Sequence, residues 1–128
     1  MAGNSWQQPV AGQYSVGSLH YCTSVTVVGG ADPASTGTWV TSLSAHTPEG
    51  CKAVDLRLIV GSGTTAGRTL SIRDPGDAWS TIIASNPSTS VQGRGNGVGF
   101  LDSSRNLRWT VNNSDVDSVS IILNGYYI

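Results

Sequence analysis

The chain has 128 residues, a mass of 13.3 kDa and a formal net charge of −1, which is enough polypeptide for one domain with a single hydrophobic core. No apolar run approaches the roughly 20 residues of a membrane-spanning helix. Seven basic residues among eight acidic ones give no basic surface for nucleic acid or anionic lipid. The charged fraction is only 12%, whereas Ser, Thr and Gly are abundant. A chain so poor in Lys and Glu lacks the residues of exposed helices, so the composition predicts an all-β protein with many turns.

The first segment, residues 1–13, is polar, contains Pro9 and two glycines, and shows no periodicity. It predicts an extended N-terminal arm, which is either disordered or lies against a partner. Trp6 is its one large apolar side chain, and packing of Trp6 against its own domain is the alternative to contact with a partner. The expected contact residues of the arm form one short run, Trp6, Gln7, Gln8 and Pro9.

The same N-terminal segment lacks the basic and apolar regions of a secretory signal peptide. We therefore expect the protein to stay in the compartment where it is made. In a reducing cytosol Cys22 and Cys51 are expected to be free thiols rather than a disulfide. Two cysteines at a single spacing leave the disulfide open as an alternative.

The rest of the chain alternates apolar and polar residues between turn signals. The alternation predicts one or two strands within 14–28 (clearest at 22–28) and further strands at 38–43, 53–60, 68–73, 79–84, 106–111 and 116–128, with a stretch of alternating glycines at 91–101. Gly29 and Gly30 are expected to end the first strand, and Leu43 lies near the one place that allows a short helical turn. Residues 47–50, 74–77 and 112–115 are further turns.

The clearest strand, 53–60, places Val54, Leu56, Leu58 and Val60 on one face. About eight short strands at this spacing predict an antiparallel, jelly-roll-like β-sandwich that forms a single domain over residues 14–128.

A run of alternating glycines, Gly93, Gly95, Gly97 and Gly99, superficially resembles a phosphate-binding loop. Such a loop needs a helix after it to direct amides at the phosphate, but the residues that follow predict another strand. We therefore interpret residues 93–99 as a flexible turn or a flat sheet edge that another backbone approaches closely.

Four side chains have the chemistry of soft-metal ligands: His20, Cys22, His46 and Cys51. Two of them share one face of a strand, which is compatible with a tetrahedral zinc site. Their spacing matches no common zinc module, so packing roles are favoured. The two carboxylates of the 74–77 turn are interpreted as turn residues rather than as calcium ligands.

No serine lies in the strand-to-helix turn of a nucleophile elbow, and the single glutamate, Glu49, lies in a turn. A pair of aspartates stays open as an acid–base alternative. The sequence thus predicts no enzyme activity, no catalytic residue, no metal and no cofactor.

Aromatic side chains are the remaining functional candidates: Trp6, Trp39, Trp79, Trp109, Tyr14, Tyr21, Tyr126 and Tyr127. Exposed aromatic rings stack on sugars or anchor protein interfaces, whereas buried ones fill the core. Trp79 and Trp109 lie in convincing strands, so we expect both to be mainly buried.

Four segments of the chain resemble virion proteins of tailed bacteriophages: TPEGCKAVDLRL at 47–58, LSIRDPG at 70–76, GFLDSSRNLRW at 99–109 and VSIILNGYYI at 119–128. The resemblance is to the small β-sandwich modules of head decoration proteins, head fibres and tail fibres. Its most characteristic feature is an alternating apolar strand that runs into Gly125, Tyr126 and Tyr127. It covers residues 40–128 and rests on pattern rather than on catalytic residues.

The resemblance implies a non-enzymatic capsid decoration (cement) protein that folds in the host cytoplasm and binds the outer capsid surface of the virion. It implies the major capsid protein as partner, with the arm making the contact, and a homotrimer at three-fold positions. A receptor- or carbohydrate-binding module of a phage tail or fibre is the alternative, with glycans of the host surface as partners.

Overall fold

The computed structural model describes residues 18–33, 36–61 and 65–128. These residues form two four-stranded sheets and contain no helix. The strands are β1 (Leu19–Ala31), β2 (Gly37–Ser42), β3 (Ala53–Val60), β4 (Thr69–Arg73), β5 (Ser80–Ser85), β6 (Gly93–Phe100), β7 (Asn106–Val111) and β8 (Val119–Tyr127). The predicted all-β sandwich of about eight strands is therefore confirmed. The predicted arm, residues 1–13, lies outside the described residues.

The order of the strands is that of a jelly roll. Sheet A has the order β1-β8-β3-β6 and sheet B the order β2-β7-β4-β5, and the strand pairs are antiparallel. Only β4 and β5 are consecutive strands of one sheet; every other pair of consecutive strands is divided between the two sheets.

The core lies between the sheets and follows from the period-two alternation of the strands. Val54, Leu56, Leu58 and Val60 of β3 are fully buried, as the alternation predicts. Their cluster continues into sheet B with Leu70, Ile72, Leu107 and Val111. Because burying one such side chain stabilises the fold by about 1.5–3 kcal/mol, the core is the main source of stability.

The glycines of β6 bring the edges of the two sheets together. A Cβ added to Gly93 would overlap the backbone carbonyl of Ser85 on β5, and one added to Gly95 would lie 3.0 Å from the carbonyl oxygen of Ile83. Glycine permits this approach of one backbone to another. Residues 93–99 are thus a strand at a closely approached sheet edge, which was one of the two interpretations of the sequence.

The first strand extends beyond its predicted end. Gly29 and Gly30 do not terminate β1, which continues to Ala31 opposite Val119 of β8. Gly30 has a φ of 61°, and the register of β1 against β8 shifts at three points. Bulges therefore accommodate the two glycines within the strand, and the prediction that they end it was wrong.

The other predicted strands match the observed ones to within a few residues. The turn at 47–50 is closed by a hydrogen bond of 3.1 Å from the amide of Cys51 to the carbonyl of Pro48. Near Leu43 the chain makes one hydrogen-bonded turn, in which the amide of His46 donates to the carbonyl of Leu43 at 3.0 Å. Among the described residues there is no helix with the length and apolar character needed to cross a membrane.

Candidate binding surfaces

The turn between β4 and β5 is organised by the side chain of Asp74. Its Oδ2 accepts a hydrogen bond from the amide of Gly76 at 3.0 Å, and its Oδ1 accepts hydrogen bonds from the amides of Ala78 and Trp79, both at 2.7 Å. These bonds, first that from Trp79, lower the pKa of Asp74 because they stabilise the ionised carboxylate. The carboxylate thereby fixes the backbone at Trp79.

A second set of contacts ties the same turn to sheet B. Arg73 donates from Nε to Oδ1 of Asp77 and from Nη2 to the Asp77 carbonyl, both at 2.8 Å. The hydroxyl of Thr38 on β2 donates to Oδ2 of Asp77 at 3.1 Å. The hydrogen bond from Arg73 is the first cause of the lowered pKa of Asp77. Both carboxylates of the 74–77 turn therefore stabilise the turn, as predicted.

Beside this turn lies a depression of about 390 Å³ at one end of the sandwich. We call it the Trp79 pocket, and its lining residues are Lys52, Asp74, Pro75, Trp79, Phe100 and Leu101. Trp79 is 66% exposed, so its indole is accessible from solvent. The lining combines two aromatic rings and a proline ring with one ammonium group and one carboxylate. A volume of this size lies within the range of small-molecule sites.

The two charged groups of the Trp79 pocket retain hydrogen-bonding capacity. Among the described residues, Oδ2 of Asp74 accepts one hydrogen bond, although a carboxylate oxygen has about two lone-pair sites. Within the described part of the chain, Nζ of Lys52 makes no hydrogen bond or ion pair, and the side chain is exposed. The pocket therefore offers one free acceptor position and an ammonium donor.

The outer edge of β2 is a second candidate surface. β2 pairs continuously with β7, and no described strand pairs with its other side. Every residue of β2 except Thr41 is exposed, including Val40 at 52%. Natural sheet edges are commonly protected by charges, prolines or bulges, and β2 has none of these. By contrast, bulges interrupt β1, and β5 and β6 cover each other.

Of the two tryptophans that were predicted to be buried, one is buried and the other is exposed. Trp109 is 5% exposed, and its Nε1 donates to Oγ1 of Thr41 at 3.0 Å, so that prediction is confirmed. The prediction for Trp79 was wrong. β5 begins one residue later than predicted, at Ser80. Trp79 consequently belongs to the turn that Asp74 holds, and its side chain lies outside the core.

The other aromatic candidates have mixed positions. Trp39 stacks on Trp109 with 5.7 Å between ring centroids, and Tyr126 stacks on His20 at 5.6 Å. Tyr21 is 77% exposed on β1, and Tyr127 is half-buried. The remaining candidates, Trp6, Gln7, Gln8, Pro9 and Tyr14, lie outside the described residues.

The four side chains with metal-ligand chemistry have separate environments. His20 stacks on Tyr126, and His46 is exposed in the turn after β2. Cys22 and Cys51 are both free thiols, and Cys51 is buried with its Sγ 3.2 Å from the carbonyl oxygen of Ala53. In the part of the chain that the structure describes, no three His, Cys, Asp or Glu residues form a group that could hold a metal ion.

Sequence reasoning missed four residues of the Trp79 pocket: Lys52, Pro75, Phe100 and Leu101. They come from three segments, namely the entry to β3, the β4–β5 turn and the end of β6. The jelly-roll order brings these segments to the same end of the sandwich. The local signal was the position of Trp79 two residues after the turn at 74–77, but that position also suits a tryptophan at the start of a strand.

No family model matches the chain, and no curated protein matches it at a significant level. The function is therefore argued from the two surfaces described above.

Proposed function

We propose that this chain is a non-enzymatic structural protein of a tailed bacteriophage, which decorates the outer capsid surface and stabilises the shell. The observation that carries the proposal is the β2 edge, because β2 is exposed, contains no charged residue and pairs with no described strand on its outer side. A strand of this kind is suited to burial against a neighbouring protein. The resemblance of residues 40–128 to decoration and fibre modules favours the same function.

The proposed mechanism is selective binding to the assembled shell. A protein that binds only the assembled form stabilises that form by about 2.7 kcal/mol per site when its free concentration is 100 times its dissociation constant. The major capsid protein is the partner whose surface the β2 edge contacts, and the bound copies form a homotrimer around three-fold positions. The low charge of the chain limits repulsion between densely packed copies. The arm residues Trp6, Gln7, Gln8 and Pro9 remain part of this proposal as capsid contacts.

The test compares Val40→Lys with Ile83→Lys, since both residues are exposed aliphatic side chains of sheet B. Ile83 lies on β5, whose edge is covered by β6, so it is the matched control. We expect wild type and Ile83→Lys to sediment with expanded capsids and to raise their disruption temperature. Val40→Lys should bind at least about tenfold more weakly, because a lysine buried in the contact loses hydration.

Quantitative mass spectrometry of purified particles provides the direct check of location. We expect the copy number of this chain to be a fixed fraction of that of the major capsid protein. Absence from the capsid fraction, or capsid binding by Val40→Lys equal to that of wild type, would contradict the corresponding part of the proposal.

The Trp79 pocket favours a second candidate function, that of a receptor- or carbohydrate-binding module of a tail or fibre. An exposed tryptophan beside free polar groups is suited to a small polar ligand with an apolar face. Saturable binding of the isolated protein to host cells, together with its location at the tail, would support this candidate over decoration.

A further inference from the structure

We propose that the Trp79 pocket binds a neutral hexopyranose ring of a host-surface glycan. This inference rests on the second candidate function and is independent of capsid decoration. It assigns the ligand class and the role of each group in the pocket.

The apolar part of the pocket fits the carbon–hydrogen face of a sugar ring. Trp79 is 66% exposed, and Pro75 and Phe100 line the pocket beside it. The backbone of Trp79 is fixed by the hydrogen bond from its amide to Asp74 and by a bond of 3.0 Å from the Asp74 amide to its carbonyl. A residue whose backbone is already fixed loses less conformational freedom when a ligand stacks on it, which favours the binding of weak ligands such as single sugar rings.

The polar part of the pocket selects for hydroxyl groups. A sugar hydroxyl can donate to the free lone pair of Asp74 Oδ2, and a neighbouring hydroxyl oxygen can accept from Nζ of Lys52. Lys52 and Asp74 carry opposite charges, so neither an anionic nor a cationic ligand is attracted by both groups. An acidic sugar would approach the Asp74 carboxylate, and the lowered pKa of Asp74 keeps that group ionised at neutral and mildly acidic pH. An apolar peptide would bury both charged groups without partners.

The experiment uses the full chain and a panel of soluble oligosaccharides. One arm contains neutral oligomers of glucose, galactose and mannose, and the other contains sialic-acid and uronic-acid oligosaccharides. Binding is followed by chemical-shift changes of the tryptophan indole N–H groups. We expect saturable binding in the neutral arm only, with changes at the Trp79 indole.

Three variants assign the site. Trp79→Ala should weaken sugar binding at least about tenfold, and Lys52→Ala should weaken it several-fold. Tyr21→Ala is the matched control, because Tyr21 is an exposed aromatic residue on β1 and should leave affinity unchanged. Unchanged thermal midpoints for all three would show that the fold is intact, which the exposure of Lys52, Trp79 and Tyr21 predicts.

The outcomes distinguish this inference from the functions discussed above. Binding of acidic sugars only, binding of no sugar, or equal sugar binding by Trp79→Ala would overturn the inference. Host-cell binding that survives in Trp79→Ala would also overturn it, while leaving a receptor function at another surface. A capsid peptide that shifts the Trp79 indole when no sugar does would assign the pocket to capsid contact instead. Sugar binding through Trp79 in a protein that fails to bind capsids would support the inference and contradict decoration.

Discussion

At the scale of single residues, Asp74 fixes the backbone at Trp79, the exposed tryptophan of the Trp79 pocket. Its three hydrogen bonds to backbone amides shape the turn, and the third of these holds Trp79 beside the pocket. A carboxylate is required for the full set, because one oxygen accepts two bonds and the other accepts one. The exposed tryptophan is therefore a consequence of how the preceding turn is stabilised.

The substitution Asp74→Asn should lower the thermal midpoint at neutral pH, since the side-chain amide nitrogen cannot accept the bond from Gly76. Because the folded-state pKa of Asp74 is lowered, its stabilising effect is present above the ordinary aspartate pKa of about 3.9 and is lost as the pH falls through the folded value. Melting curves followed by circular dichroism should therefore show a difference from wild type that shrinks in acid.

Asp117→Asn is the control for the loss of charge. Asp117 is exposed, and its carboxylate makes no hydrogen bond within the described residues, so this variant should melt like wild type. Equal midpoints for Asp74→Asn and Asp117→Asn at neutral pH would mean that the bonds to Asp74 do not stabilise the turn.

At the scale of strands, the alternating glycines of β6 allow this strand to pack directly against β5 along one side of the sandwich. Its glycines face the core, where side chains would separate β6 from β5. The strand loses the packing that larger side chains would provide, and it gains direct contact between two sheet edges. This arrangement covers both edges, so neither is available for pairing with another chain.

Gly93→Ala tests this arrangement. The new methyl group would overlap the backbone of Ser85, which cannot move without displacing β5. We expect the free energy of unfolding in urea to fall by about 1–3 kcal/mol or more. The control is Gly29→Ala on exposed β1, where the nearest contact is the side-chain methyl of Thr26 at 3.1 Å. Its effect should remain below about 1 kcal/mol, and an equal loss in both variants would refute close packing of β5 on β6.

The strands differed in how well the sequence predicted them, and the difference has a physical basis. β3 has one face in the core, so its alternation predicts both its limits and its buried residues. The glycine at position 30 indicated the end of β1, but the strand continues, because a bulge can hold a residue with positive φ inside a strand. Trp79 was misplaced because it precedes β5 and has the parity of exposed Ile83, whereas the buried side chains of β5 are those of Ile82 and Ala84.

The candidate site was less predictable than the fold. Trp79 was recognised as a candidate aromatic residue, but its partners Lys52 and Phe100 are distant from it in sequence. Their proximity depends on the order of strands in the two sheets, which alternation alone does not determine. The β2 edge likewise becomes visible only when the outermost strand of each sheet is known.

At the scale of the whole molecule, the two sides of the sandwich have different properties. One side is closed by β5 against β6, and the other side has the exposed edge of β2. Both sheets nevertheless contribute to one continuous buried cluster. Since neither sheet has a separate core among the described residues, we expect the sandwich to unfold as a single cooperative unit.

Leu123→Ala tests this cooperativity. Leu123 is fully buried on β8, the strand between β1 and β3 in sheet A, and its truncation should reduce the free energy of unfolding by about 2–5 kcal/mol. The tryptophan band of the near-ultraviolet circular dichroism, to which the stacked Trp39 and Trp109 contribute, reports on sheet B, whereas far-ultraviolet dichroism reports on both sheets. In urea, both signals should shift to the same lower midpoint, because loss of packing in one sheet removes the support of the other.

Thr23→Ala on exposed β1 should leave both midpoints nearly unchanged. A near-ultraviolet signal that persists after the far-ultraviolet transition has begun would show that sheet B is stable without sheet A.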